Sequence, residues 1–262
     1  MSQPQISCSR CTFLQVFHGQ NICDMCHNFL ESKTKTKTKS KSKTKSKTPR
    51  RHDNVLILDF DGTMHYAYFL SLMVVYGLNS MYRRFLDEIN SRVGKFLDSY
   101  KSYKILIITN SYEESVRRKL DDGVFTGRTR DMLWNLFNSG RFLCGADGVS
   151  RDKVSRNVDA LQRCNITSES TVISVGDMPL DIRATFNALA GMGHPCRLIS
   201  VLLDADLSNG GAEVCANLKK LEHITVMPLP SVQRGKLSNA VIRIKNGCVH
   251  NHPELRNEFY GS

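Results

Sequence analysis

Four apolar runs, separated by helical patterns, organise most of this chain. The first run, at 55–58, leads into two acids and a Gly-Thr turn within the stretch Asn54-Val-Leu-Ile-Leu-Asp-Phe-Asp-Gly-Thr63. Further apolar runs lie at 104–109, 171–176 and 197–203. Runs of this length, bounded by turns, predict strands that are buried on both faces of a parallel sheet.

Between these runs, apolar residues recur at helical spacing. One series predicts a single long helix over 79–100; its apolar positions are Met81, Phe85, Ile89, Val93, Phe96 and Tyr100. A second helix is predicted over 152–164. Because strands and helices alternate, we expect an α/β fold in which helices cover both faces of a parallel sheet. Near the end of the chain, the run at 241–244 predicts an edge strand.

Length and hydropathy limit the class of protein. A chain of 262 residues, 41% of them hydrophobic, fits one medium-sized domain with appendages. The longest apolar stretch, 66–78, is well short of the about 20 residues that a membrane-spanning helix needs. The first ten residues lack the apolar segment of a signal peptide. We therefore expect a soluble intracellular protein, cytoplasmic or nuclear, without a membrane partner.

The net charge of +11 is concentrated in one segment. Residues 32–51 contain eight lysines, two arginines and no acids. Neither face of this alternating segment is apolar, which predicts a disordered basic linker at 31–52. Three interpretations stay open: an extended spacer, an arm that attracts nucleic acid, and a nuclear-localisation patch at 47–51. Phosphorylation of its Ser and Thr residues would offset the charge.

The segment 1–30 carries two Cys-x-x-Cys pairs separated by eleven residues. The four cysteines are Cys8, Cys11, Cys23 and Cys26. Paired motifs of this kind hold four thiolates around a tetrahedral Zn²⁺, and His18 and His27 are alternative ligands. A segment this short cannot bury enough apolar surface to fold alone, so the metal would supply its folding free energy.

The cysteine pattern resembles the small Ran-binding-protein-type zinc fingers, the NZF class. Fingers of that class with Thr-Phe after the second cysteine, and an apolar residue in the second Cys-x-x-Cys, bind ubiquitin. The resemblance implies this role for Thr12, Phe13 and Met25. Other fingers of the class bind single-stranded RNA, but the loop 14–22 has no Lys or Arg, which argues against RNA. A finger that only packs on its neighbour is the remaining interpretation.

Polar residues follow the apolar runs of the main domain, 53–262, or, like Lys153, open a helical stretch. They are Asp59, Asp61, Thr109, Lys153, Asp177 and Asp181. Two carboxylates at the end of a buried strand are costly unless they are paired or bound to metal. Ligands of open α/β sheets bind at the carboxyl ends of the strands. The pattern therefore predicts an active site whose chemistry is built on carboxylates.

In order and type, these residues resemble the four motifs of the haloacid dehalogenase superfamily over 53–205, and its phosphatase branch fits best. The resemblance implies a Rossmann-like fold and Mg²⁺-dependent hydrolysis of phosphomonoesters through an aspartyl-phosphate. Asp59 would be the nucleophile, and Asp61 the general acid and base. Thr109 would bind the phosphate, and Lys153 would offset its charge.

The same resemblance implies a magnesium site. Its oxygen ligands would be Asp59, the backbone carbonyl of Asp61, Asp177 and Asp181. Two alternatives stay open: Asp181 only caps the following helix, and Arg151 takes the place of Lys153.

Spacing bears on the substrate. Relatives that act on small metabolites carry a lid domain after the first or second motif, and neither 63–104 nor 109–153 is long enough for one. We expect a minimal cap and a site open to bulky substrates, such as a phosphoprotein or a nucleic-acid end. The alternative function is a non-catalytic adaptor that uses the phosphatase fold as a scaffold, with a ubiquitin- or RNA-binding finger.

Overall fold

The structure is a computed structural model, and the chain divides into two compact units, 1–49 and 50–262. The residues that it describes are 5–7, 14–16, 52–66, 75–77, 79–145, 153–204, 212–221, 223–224, 236–245 and 247–251.

In the first unit, two short strands pair antiparallel: β1 (Gln5–Ser7) and β2 (Leu14–Val16). The zinc and ubiquitin predictions fall outside the described residues; they concern Cys8, Cys11, Cys23, Cys26, Thr12, Phe13 and Met25. The basic segment 31–51 also lies outside them.

The second unit alternates strands and helices. Its strands are β3 (Val55–Leu58), β4 (Lys104–Tyr112), β5 (Phe142–Gly145), β6 (Thr171–Gly176), β7 (Arg197–Asp204), β8 (Ser238–Lys245) and β9 (Cys248–Asn251). Its helices are α1 (Asn79–Ser99), α2 (Glu113–Asp121), α3 (Gly127–Asn138), α4 (Lys153–Leu161), α5 (Pro179–Gly191) and α6 (Ala212–Leu221). Among the described helices, none has both the length and the apolar character that crossing a bilayer requires.

These seven strands form one sheet in the order β5-β4-β3-β6-β7-β8-β9. All neighbouring strands are parallel except β8 and β9, which are antiparallel. The central strand β3 places Val55 opposite Lys104 on one side and opposite Val172 on the other. The prediction of a mostly parallel α/β sheet, consistent with a Rossmann-like fold, is confirmed.

Side chains of the central strands alternate between two buried layers. Leu56 and Leu58 pack with apolar residues of α1, α2, α3 and α6. Val55 and Ile57 point to the other face and pack with α4 and α5. All four strand side chains are at most 3% exposed, which explains why β3 is a continuous apolar run and not an alternating one. Helices therefore cover both faces, as predicted.

The long helix predicted over 79–100 is α1, which ends at Ser99. Phe85, Ile89 and Val93 are buried on the face that it turns to the sheet. The hydroxyl of Tyr100, just after the helix, donates a hydrogen bond of 2.8 Å to the carbonyl of Leu221, the last residue of α6. Most of the stretch 66–78, the expected minimal cap, lies outside the described residues.

The edge-strand prediction for 241–244 is wrong. These residues belong to β8, which is covered on its outer side by β9. Gly247 precedes β9 with φ 69°, a conformation that favours glycine and lets the chain reverse tightly. The backbone of 242–245 is thereby paired on both sides.

Candidate active site

The predicted chemistry collects at the point where the strand order changes direction. The chain passes from β3 to β4 on one side, and later returns to β6 on the other side of β3. Such a reversal leaves a crevice outside the carboxyl ends of the strands. An open cleft of about 620 Å³ lies there, and its lining includes Asp59, Asp61, Thr109, Lys153, Asp177 and Asp181.

A glycine lets the loop after β3 approach the loop after β6. Gly62 has φ 77°, and its amide donates a hydrogen bond of 2.9 Å to the carbonyl of His65. A Cβ atom at Gly62 would overlap the Asp177 carboxylate. Glycine is therefore required twice at this position, for its positive φ and for the space it leaves.

The centre of the site is a buried lysine between two carboxylates. The Nζ of Lys153 contacts Oδ1 of Asp59, and lies 2.5 Å from Oδ1 of Asp181. The side chains of Lys153, Asp59 and Asp181 are 5%, 8% and 7% exposed. Since charges this deeply buried are costly alone, each needs the others.

Asp177 adds a third carboxylate to this group. Oxygen atoms of Asp59, Asp177 and Asp181 all lie within 4.8 Å of one another. Burial is the main cause that raises the pKa of Asp59 to about 7; Lys153 lowers this pKa, and Asp181 and Asp177 raise it further. Burial, followed by Asp181, raises the pKa of Asp177 to about 6. Lys153 alone therefore does not neutralise the three carboxylates when they are ionised.

These donors fit a hard divalent cation. Mg²⁺ takes carboxylate and carbonyl oxygens and keeps several waters, which an open cleft can supply. When the four groups are ionised, the carboxylates leave an excess of negative charge beside Lys153, and a bound cation would neutralise it. The donor set thus suits Mg²⁺, with Asp59 and Asp177 as its natural carboxylate ligands.

Asp181 both caps a helix and faces the lysine. The helix α5 has Met178 as its N-cap residue and Asp181 at its third position. Oδ2 of Asp181 accepts the amide of Met178 at 3.0 Å, while Oδ1 is held by Lys153. Because both oxygens already have donors, Asp181 is better suited to hold Lys153 in place than to be a principal metal ligand.

Buried polar contacts fix the backbone of Lys153. Asn157, one turn further along α4, donates a hydrogen bond of 2.8 Å to the Lys153 carbonyl. Thr185 of α5 donates to Asn157 at 3.0 Å, and lies 2.8 Å from the hydroxyl of Ser174 on β6. Three elements thereby determine where the first turn of α4 sits.

Asp61 is held by three donors, and of these only Thr109 is a site residue predicted from the sequence. The ammonium of Lys119 on α2 contacts its Oδ1, and Ser111 donates to its Oδ2 at 2.6 Å. Thr109 also donates to Oδ2, at 3.1 Å. Burial acts to raise the pKa of Asp61, but the hydrogen bonds from Lys119, Ser111 and Thr109 outweigh it and hold this pKa below its ordinary value.

The structure therefore brings together all six residues predicted for the main domain. Thr109 lies inside β4 and not at its end, since the strand continues to Tyr112. Its hydroxyl contacts Asp61. Arg151, the alternative to Lys153, lies outside the described residues.

Comparison of the chain with models of known protein families, with curated proteins and with solved structures found no match.

Proposed function

We propose that the chain is a Mg²⁺-dependent phosphomonoester hydrolase of the haloacid dehalogenase type, which works through an aspartyl-phosphate on Asp59. The observation that carries the proposal is the buried Lys153 between Asp59 and Asp181, beside Asp177, in a cleft at the carboxyl ends of parallel strands. A carboxylate nucleophile, a fixed cation and a set of metal ligands are what phosphoryl transfer to an aspartate requires.

In the first step, a carboxylate oxygen of Asp59 attacks phosphorus, and the bond from phosphorus to the leaving oxygen breaks. Lys153 offsets the negative charge that gathers on Asp59 and the phosphoryl oxygens. It needs little reorganisation to do so, because Asp181 and the Asn157 contact already hold it. A bound Mg²⁺ would add positive charge beside Asp59 and Asp177 and would keep both carboxylates ionised.

Asp61 handles the protons in this proposal. It gives a proton to the leaving oxygen in the first step, and takes one from the attacking water in the second. The donors around Asp61 favour its ionised form, which suits the second step. An incoming phosphate is an anion and raises the pKa of a nearby carboxyl, which brings the protonated form needed for the first step within reach. Water attack on the aspartyl-phosphate then releases inorganic phosphate and restores Asp59.

We further propose that the substrate is bulky and is recruited by the segment before this domain. The cleft is open, and two large apolar side chains line it while more than half exposed: Tyr112 at 54% and Met178 at 55%. In the proposal, the cysteines of 1–30 hold Zn²⁺ and the finger binds ubiquitin through Thr12, Phe13 and Met25. The basic linker would add a weak attraction for nucleic acid.

Turnover of an aryl phosphate tests the chemistry. We expect hydrolysis that requires Mg²⁺, is lost in EDTA, and is abolished by Asp59→Asn. The matched control is Asp121→Asn, which removes an exposed acid of α2 that pairs with Arg130. If aryl phosphates, phosphopeptides and phosphorylated oligonucleotides all remain intact, the adaptor function is favoured instead.

Ubiquitin binding tests the finger separately. We expect zinc-loaded protein to bind ubiquitin weakly, and Thr12→Ala combined with Phe13→Ala to remove the binding while zinc content stays the same. Equal binding by this double variant would contradict the proposed ubiquitin surface.

A further inference from the structure

A second cleft adjoins the catalytic one. It has a volume of about 510 Å³, and its lining includes Glu113, Arg117, Phe137, Phe142, Cys144 and Gly145. Tyr112 lines the catalytic cleft, and the next residue, Glu113, lines the second. Gly145 is paired with Tyr112, and a Cβ atom on it would lie 2.5 Å from the carbonyl oxygen of Asn110. The two clefts therefore meet at Tyr112 and Glu113, consecutive residues of the chain.

One side of the second cleft is the edge strand β5. Among the described strands, β5 has a neighbour only on its β4 side. There, the carbonyl of Arg141 accepts the amide of Ile107 at 2.8 Å. Backbone groups alternate sides along a parallel strand, so the N–H and C=O groups of Phe142 and Cys144 face away from β4. An extended chain can pair with such an edge, as in β-augmentation.

The walls of this cleft favour a polypeptide over a nucleic acid. The Arg117 guanidinium stacks on Phe137, with its carbon 4.6 Å from the ring centroid, and Arg117 also bonds Glu113 at 2.8 Å. The charge of Arg117 is therefore balanced by that of Glu113. Binding of nucleic acid, by contrast, draws its free energy from cations placed against phosphates. Aromatic rings and a stacked arginine are typical of surfaces that recognise proteins.

We propose that the second cleft binds an extended polypeptide next to a phosphorylated side chain, which reaches Asp59 past Tyr112. Because parallel strands end at the same side of a sheet, the Gly145 end of β5 lies toward the catalytic cleft, and a chain paired with β5 leads there. The substrate class is then a phosphoprotein recognised through backbone pairing and one or two side chains. Dephosphorylation rests on the proposed function; binding of the peptide does not.

Peptide length and one arginine test this assignment. The probes are a pool of peptides of about ten residues with a central phosphoserine or phosphotyrosine, the matching N-acetyl phosphoamino acid amides, and an aryl phosphate. At about 1.4 kcal/mol per factor of ten, a modest set of flanking contacts gives the peptides a kcat/KM about tenfold or more above the single amino acids. Arg117→Glu places a second acid beside Glu113; we expect it to lower kcat/KM for peptides severalfold and to leave aryl phosphate turnover unchanged. Arg118→Glu, the matched control on the exposed face of α2, should change neither.

Binding of a fluorescent phosphopeptide pool to Asp59→Asn protein separates the two proposals. The peptide cleft is supported if the protein with Arg117 raises the anisotropy of the pool, if Arg117→Glu weakens this binding, and if Arg118→Glu leaves it unchanged. This result would support the cleft even if no substrate is hydrolysed and the proposed chemistry fails. Rates independent of peptide length, equal effects of the two arginine variants, or a preference for 5′-phosphorylated oligonucleotides over the peptides would overturn the inference.

Discussion

Lys153→Met is the sharpest test of the electrostatics of the site, because Lys153 is the one cation among the described residues that pairs with Asp59 and Asp181. Methionine keeps most of the apolar stem and fills the buried space, so packing changes little. What changes is the charge: Asp59 and Asp181, at 8% and 7% exposure, lose their shared partner. Removal of one member of a buried ion pair typically costs about 3–5 kcal/mol.

The cost should depend on pH in a defined direction. The pKa of Asp59 is already raised to about 7 with Lys153 present, and it rises further without the lysine. A carboxyl whose pKa is raised by folding contributes stability below its unfolded value, and this stability is lost as pH increases through the folded value. At acidic pH Asp59 and Asp177 are neutral and need no cation, so the loss shrinks to about 1 kcal/mol. In alkaline solution the loss of stability should reach about 3 kcal/mol, at the lower end of the range of about 3–5 kcal/mol, since protonation of Asp59 in the variant limits the loss.

Urea unfolding in EDTA measures this difference. Wild-type protein, Lys153→Met and the exposed control Lys101→Met would be compared at about pH 5.5 and about pH 8. We expect Lys153→Met to lose more stability at the higher pH and Lys101→Met to change little at either. A loss below about 1 kcal/mol at both pH values, or a greater loss at the lower one, would refute the reasoning.

Three further predictions follow from the same contacts. Gly62→Ala should lower stability by about 1–3 kcal/mol and reduce turnover, because φ 77° is strained for alanine and the added Cβ overlaps Asp177. In Gly123→Ala, where φ is 86° and nothing lies within 4 Å of the added Cβ, only the backbone strain should lower stability. Thermal unfolding of both variants measures the difference. Asp177→Asn should stabilise the metal-free protein at neutral pH by about 1 kcal/mol, after allowance for solvent screening. The reason is that it removes a carboxyl whose pKa is raised by folding to about 6 and whose ionised form therefore destabilises the folded state. The increase in melting temperature that Mg²⁺ gives should be smaller in this variant. Asn157→Leu should destabilise the fold by about 1–3 kcal/mol, since it removes the side-chain contacts to the Lys153 carbonyl and to Thr185. It should also lower kcat more than it changes KM; equal kinetics would contradict the positioning role.

The core of the fold could be predicted because its strands are buried on both faces. β6 is apolar or small along its whole length and is bounded by turns, so its limits coincide with the predicted 171–176. The helix α1 has a regular apolar spacing, and only its last residue differs from the prediction. In both cases burial leaves a pattern that a single sequence records.

The strand β9, which covers the outer edge of β8, has a weaker hydropathy pattern in the sequence. β9 contains Cys248, His250 and Asn251 around a single valine, so no apolar run marks it. The Asn246-Gly247 dipeptide between the two strands is a recognised hairpin signal and could have predicted the pairing. Polar edge strands are found by their turns and not by their hydropathy.

The contact between Lys119 and Asp61 could not be predicted from the sequence. Lys119 belongs to a run of three basic residues on α2, 117–119, and such runs ordinarily face solvent. Its role arises because α2 begins directly after β4 and turns Lys119 back over the same cleft, where it contacts Asp61 across 58 positions of sequence. By contrast, the carboxylates and Lys153 each follow an apolar strand or open a helix, positions that sequence patterns mark.

The most direct test of the central claim is the covalent intermediate. Protein mixed with Mg²⁺ and an aryl phosphate would be quenched in acid within the first turnover, digested, and analysed by mass spectrometry. We predict one phosphoryl group on the peptide that contains Asp59, located on that residue and absent from Asp59→Asn. Rapid hydrolysis with no phosphoryl group on Asp59, or the same turnover by Asp59→Asn, would contradict it.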